Sequence, residues 1–204
     1  MIVIVDYSVG NIGSILNMLK KIGVEAKISS SVQDIEQADK IILPGVGAFD
    51  SGMSKLNERG FTEILNKKVL LEKTPILGIC LGMQLMTKGS EEGKLNGLGW
   101  FDSETIKFNF SEDQKKLKVP FIGWNYVKIC KTSQLFKEMY DNPKFYLVHS
   151  YYIKSNDLKD ILTQTEYSVT YASSLEKGNI FGVQFHPEKS HKYGMKLLKN
   201  FSEL

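Results

Sequence analysis

Over roughly the first eighty positions the chain alternates unbroken apolar runs with stretches in which apolar residues recur every three or four positions. "IVIV" at 2–5 reads as a strand buried on both faces, and Ile12, Ile15, Leu16, Leu19 and Ile22 then line one face of a helix that Gly23 ends. Further strands are predicted at 25–28, 40–45 and 74–79, separated by helical patterns around 31–38, 51–57 and 61–72. That alternation predicts a parallel sheet covered by helices. From about Gly97 the period shortens to two. "ETIKFNF", "NYVKIC", "FYLVHSYYIKS" and "TYASSLEKGNIFGVQF" read as strands joined by tight turns, and the closing "HKYGMKLLKNFSEL" as a helix. No linker rich in Pro, Gly or Ser interrupts the pattern, so one α/β domain is expected over residues 1–204.

Length changes this picture little: 204 residues suffice for one full core and are too few for two ordinary enzymatic domains. The opening "MIVIVDYSVGN" meets an acidic residue after five positions, and no apolar run has membrane-spanning length, so a cytoplasmic protein with no membrane partner is expected. The formal charge of +3 arises from 26 basic and 23 acidic residues, and Arg59 is the only arginine. With the lysines dispersed, "SEDQKKLKV" being the nearest thing to a basic cluster, nucleic-acid binding is not expected. Cys80 and Cys130 lack C-x-x-C or Cys/His ligand spacing, which argues against a disulfide framework and a zinc site. Neither a G-x-G-x-x-G nor a P-loop is present, and neither metal nor cofactor is expected.

The chemistry concentrates at one bend. Gly78-Ile79-Cys80-Leu81-Gly82 places a cysteine between an apolar strand and a helical run, with glycines where a Cβ would clash. A helix N-terminus there stabilises negative charge on sulfur. Taken alone, the stretch also fits a cysteine merely packed in a sheet core. A nucleophile needs a base, and the candidates are His149, His186 and His191. In "VQFHPEKS", Glu188 follows His186 by two positions, so in an extended segment its carboxylate projects to the same side and can hold the imidazole. "PGVGAF" at 44–49 supplies unobstructed backbone N–H groups for an oxyanion, together with the N–H of Leu81. Cys130, in an alternating run without flanking glycines, is expected to pack in a strand.

"PGVGAF", "GICLGMQLM" with the following "SEEG", "GWN" at 123–125, "VHSYY" at 148–152 and "QFHPEKS" at 184–190 together resemble the class I glutamine amidotransferases, and within them the glutaminase subunits of imidazole glycerol phosphate synthases. The likeness runs from "DYSVGN" to "LLKNF". It implies a single-domain, flavodoxin-like α/β fold: a central, mostly parallel sheet flanked by helices, with added antiparallel strands in the second half. It implies that Cys80 attacks the glutamine amide, that His186 moves the protons and Glu188 orients it, and that Gly47 and Leu81 provide the oxyanion hole. Gln84, Glu92, Ser150 and Tyr151 match positions that hold glutamine, while His149 becomes a wall residue. Asn11, Trp124, Asn125 and Lys189 match a surface that meets a (βα)₈ cyclase subunit in a heterodimer. Two positions depart from the family pattern: Ser8, where "DYG" is usual, and Phe121, where a histidine usually precedes "GWN". Both fall on the side expected to meet the partner, so a second destination for the ammonia, amidination of a surface sugar, stays open.

Overall fold

The computed structural model describes residues 1–110 and 117–204. In chain order the first half runs β1 (Ile2–Val5), α1 (Ile12–Lys21), β2 (Ala26–Ser29), α2 (Val32–Glu36), β3 (Lys40–Gly45), α3 (Phe49–Glu58), α4 (Phe61–Asn66), a π-helical turn (Lys67–Leu71), β4 (Ile76–Cys80) and α5 (Leu81–Leu85). The second half adds β5 (Ser103–Lys107), β6 (Phe121–Tyr126), β7 (Lys128–Ile129), β8 (Lys144–His149), β9 (Tyr151–Ser155), β10 (Ile161–Tyr167), β11 (Val169–Lys177), β12 (Ile180–Val183) and α6 (His191–Ser202). Helix α1 stops where expected: Gly23 takes a φ of +73° and the amide of Val24 donates back to the Leu19 carbonyl.

The strands β2, β1, β3, β4 and β12 lie side by side, every pairing among them parallel. Beyond β12 the same sheet continues antiparallel through β11, β10 and β7, with β9 joined to β11 and β5 to β9. Because side chains alternate across a strand, one strand feeds two cores. Val3, Val5, Ile41 and Leu43 enter the cluster with α2 to α5, whereas Ile2, Ile4 and Ile42 enter the one with α1 and α6. Such double coverage explains the unbroken apolar runs.

Two of the predicted strands are divided. "FYLVHSYYIKS" breaks at Ser150: β8 pairs with β6 in a separate two-stranded sheet, while β9 joins the main sheet. "NYVKIC" divides likewise between β6 and β7. Period-two patterning shows which residues are extended and is silent on which sheet receives them. The break matters for function, since it turns the backbone of residues 149–151 towards the ends of β3 and β4.

Candidate active site

β4 and α5 meet at Cys80, which adopts φ +54° and ψ −111°, a left-handed conformation costing about 1–3 kcal/mol. The glycines make the bend possible. A Cβ on Gly82 would lie 1.8 Å from the Leu43 carbonyl oxygen of the neighbouring β3, and one on Gly78 would meet the Gly82 backbone at 2.9 Å. The clash expected with the neighbouring strand therefore holds for Gly82, while Gly78 is required by the turn's own return. β3 and β4 run in register as far as Gly45 opposite Cys80, so the "PGVGAF" turn begins beside that cysteine. Gly47 has a φ of +102° with open space around its missing Cβ, so conformation rather than crowding requires glycine there.

His186 is anchored through its backbone: its amide donates to the Tyr146 carbonyl at 2.8 Å, and the Ser190 hydroxyl donates to its carbonyl at 2.6 Å. Its Nδ1 lies 2.8 Å from Glu188 Oε1, both side chains being almost fully buried. The carboxylate arrives by a different route from the one expected. Pro187–Lys189 forms a 3₁₀ turn, and this turn, not strand alternation, swings Glu188 back onto the imidazole. Burial alone lowers the imidazole's proton affinity, but hydrogen bonds to the Cys80 sulfur and the Glu188 carboxylate outweigh it and push the pKa up to about 10. Cys80, His186 and Glu188, the expected nucleophile, base and orienting acid, are thus brought together.

A cleft of about 410 Å³ opens over the sulfur, bordered by Val46, Gly47, Ala48, Leu81, Gln84, Glu92, Ser150 and Tyr151. All the expected oxyanion and glutamine-holding positions meet there. Glu92 Oε2 accepts from the Phe49 amide at 2.9 Å, tying the loop after α5 to the end of the oxyanion turn. Gln84 Nε2 donates to the Tyr151 carbonyl at 3.4 Å. A wider groove of about 910 Å³ runs along β7 and β10 and contains none of these residues.

His149 is a wall residue. Its Nδ1 sits 2.8 Å from the Tyr151 carbonyl, which can only accept, so Nδ1 carries the proton and Nε2 accepts from the Tyr171 hydroxyl at 3.1 Å. Burial and the nearby His186 hold its pKa down at about 4, against the pull of the Tyr151 carbonyl.

Three of the four positions expected to meet a partner are exposed. Asn11 starts α1, which packs against the Pro187–Lys189 turn; Trp124 and the exposed Lys189 flank the Tyr146 ring at 6.2 and 5.7 Å. Asn125 points to the other face of β6, donating to the Glu166 carbonyl at 2.9 Å. Phe121 likewise turns inward, 4.4 Å from the Tyr167 ring. Ser8 takes a φ of +65°, and its hydroxyl accepts from Arg59 at 2.7 Å, so the chain's only arginine secures the residue that replaces a usual glycine. Cys130 is exposed rather than packed, correcting its expected role. The first part of the lysine-rich stretch, 111–116, lies outside the described residues.

Sequence reasoning missed Gln184 and Tyr171. Gln184 stands inside the quoted "QFHPEKS" but carries no acid–base chemistry, and Tyr171 offers only a β-strand pattern; their roles come from strands that the sequence does not visibly bring together.

A family model described as glutamine amidotransferase class-I matches residues 3–203. The chain is 55% identical over 201 residues to a Methanococcus maripaludis protein named imidazole glycerol phosphate synthase subunit HisH 2, covering 98% of both chains. It is 48% identical over 204 residues, the whole of both chains, to a Pseudomonas aeruginosa protein of the same name. Among solved structures, one described as a glutamine amidotransferase superposes with a TM-score of 0.73 over 98% of this chain and 97% of that one, at 17% identity, a likeness of fold. Motif order, the bend at Cys80 and the full-length matches agree: the chain belongs to the class-I glutamine amidotransferase family.

Proposed function

We propose that this chain is the glutaminase subunit of an imidazole glycerol phosphate synthase, working in the cytoplasm on a (βα)₈ cyclase partner. The observation that carries the hydrolytic part is a buried imidazole held by Glu188 at 2.8 Å that borders, together with Cys80, one cleft. In this reading the Cys80 thiolate adds to the side-chain amide carbon of glutamine, and the amide oxygen becomes an oxyanion facing the N–H groups at Gly47 and Leu81. His186 gives its proton to the departing nitrogen, releasing ammonia and leaving a γ-glutamyl thioester. Water then attacks, His186 takes its proton, and glutamate leaves with the thiol restored. Gln84, Glu92 and the 149–151 backbone hold the substrate.

The synthase part rests on the names of full-length relatives, which favour it over surface-sugar amidination. It also rests on the exposed Trp124 and Lys189, which flank the Tyr146 ring beside the cleft. Gly47, at φ +102° with open space beside it, lets the adjoining peptide group reorient at low strain, so docking and ligand in the partner complete the oxyanion hole. The test is growth without histidine of a strain lacking its own glutaminase subunit, given this chain with the cyclase-like protein from the same genome. The wild type restores growth and Cys80→Ala does not. A stable, glutaminase-active complex that fails to restore growth or to convert the phosphoribulosyl substrate would move the assignment to sugar amidination.

A further inference from the structure

We infer that Gln184 is a positioning residue for this reaction: it fixes which atom Gln84 presents to the substrate and directs an N–H at the nucleophilic sulfur. This rests on the glutaminase reading and adds a residue to it. The Gln184 side chain is fully buried, at the end of β12, where its backbone amide is held by the Ser173 carbonyl at 2.9 Å. Its Oε1 accepts from Gln84 Nε2 at 3.0 Å, and its Nε2 lies 3.7 Å from Cys80 Sγ, within reach of an N–H to sulfur bond.

The direction of this relay is forced at one end. The Tyr151 carbonyl can only accept, so Gln84 must turn its NH₂ group inward. Gln84 Nε2 then donates to Gln184 as well, Gln184 must answer with its oxygen, and its own NH₂ is left facing Cys80. Two consequences follow. An N–H donor aimed at sulfur favours the charged thiolate that attacks. And with its NH₂ group committed, Gln84 has only Oε1 to offer the cleft, an acceptor suited to an N–H of glutamine and unsuited to the carboxylate of glutamate. Buried amides in such a chain are rotationally locked, because turning either one would set two like atoms against each other.

Two variants of similar size separate the consequences. Gln184→Glu keeps an oxygen for Gln84 but removes the donor to sulfur; Gln184→Met removes both. With iodoacetamide, which needs neither glutamine nor partner, Cys80 alkylation at pH 7 should slow roughly tenfold in both, the weight of one hydrogen bond to a charged atom. In the complex, Gln184→Glu should lower kcat with KM for glutamine little changed. Gln184→Met should also raise KM several-fold and weaken product discrimination, read as tighter inhibition by glutamate. Alkylation rates and KM within twofold of wild type in both variants, with unchanged melting temperatures, would overturn the inference. If wild-type alkylation is fast and Gln184-dependent while the complex hydrolyses no glutamine, the relay stands and the glutaminase reading falls.

Discussion

His149 and His186 border the same cleft and are equally buried, 5% and 3% exposed, yet their proton affinities are driven in opposite directions, to about 4 and about 10. Burial acts on both in the same sense, against the charged form. The difference lies in what the ring nitrogens meet. His186 faces a carboxylate and a sulfur, two groups that reward a positive imidazole. His149 faces a neutral carbonyl and a neutral hydroxyl; the Tyr151 carbonyl gives the imidazolium some support, but too little to offset burial, and the nearby His186 adds repulsion. Position in the cleft does not set a histidine's proton affinity; the groups that its ring nitrogens face do.

The largest test of that contrast is truncation in the assembled enzyme. His186→Ala should cut kcat by about 10²–10⁴, the usual weight of general acid–base catalysis. His149→Gln, which keeps a donor for the Tyr151 carbonyl, should cost roughly tenfold, the scale of one or two hydrogen bonds. Glu188→Gln should fall between them and carry a signature: without the carboxylate the imidazole holds its proton less well, so the alkaline limb of the pH–rate profile moves to lower pH. Equal losses in His149→Gln and His186→Ala would erase the distinction between wall and base.

Proton titration comes next. A histidine unfolded at pKa 6.5 and folded at about 4 is uncharged in the native state while the unfolded chain binds a proton between those values. Stability therefore falls as pH drops from 6.5 towards 4, by on the order of 3 kcal/mol at the lower end. His186 has the opposite sign. Raised from 6.5 to about 10, it contributes stability that is fully present below pH 6.5 and is lost as pH rises through 10. Imidazole resonances of labelled protein should show His149 flat from pH 8 to about 5 and His186 flat up to about 9. A His149 midpoint near 6.5 would mean that the ring is hydrated rather than walled in.

The two histidines also mark how far the sequence could be read. That Cys80, His186 and Glu188 would meet was legible because each sits in a short run with local cues: glycines around a bend, a carboxylate two positions from an imidazole. Even there the route was misjudged, since a 3₁₀ turn brings Glu188 to His186. The parallel half was legible because burial on both faces writes itself as unbroken apolar runs. What stayed hidden depends on contacts between distant segments. His149 meets Tyr171 only because β8 and β9 separate at Ser150, and Gln184 meets Cys80 across a hundred positions because β12 lies beside β4. Asn125 was expected on the partner side with Trp124, but strand alternation turns its side chain, like that of Phe121, to the opposite face of β6.

Phe121 yields the smallest predicted effect and probes the wall from behind. Its ring packs 4.4 Å from Tyr167 and meets His149 at 6.1 Å in an edge-on contact, and it does not border the cleft. Phe121→His restores the residue usual in the family. It exchanges an apolar ring for a smaller polar one in an aromatic cluster, at a cost of about 1 kcal/mol, or a fall of about 2–4 °C in melting temperature for a chain of this size. Because the ring is turned inward, affinity for the barrel partner and the glutamine KM should both stay within about twofold. His149 should remain uncharged at neutral pH, since its two hydrogen bonds are untouched. A tenfold loss of partner affinity without a change in melting temperature would place Phe121 at the docking surface after all. A His149 resonance that begins to titrate above pH 5.5 in this variant would show that the aromatic packing, and not the Tyr151 and Tyr171 partners, keeps the wall histidine neutral.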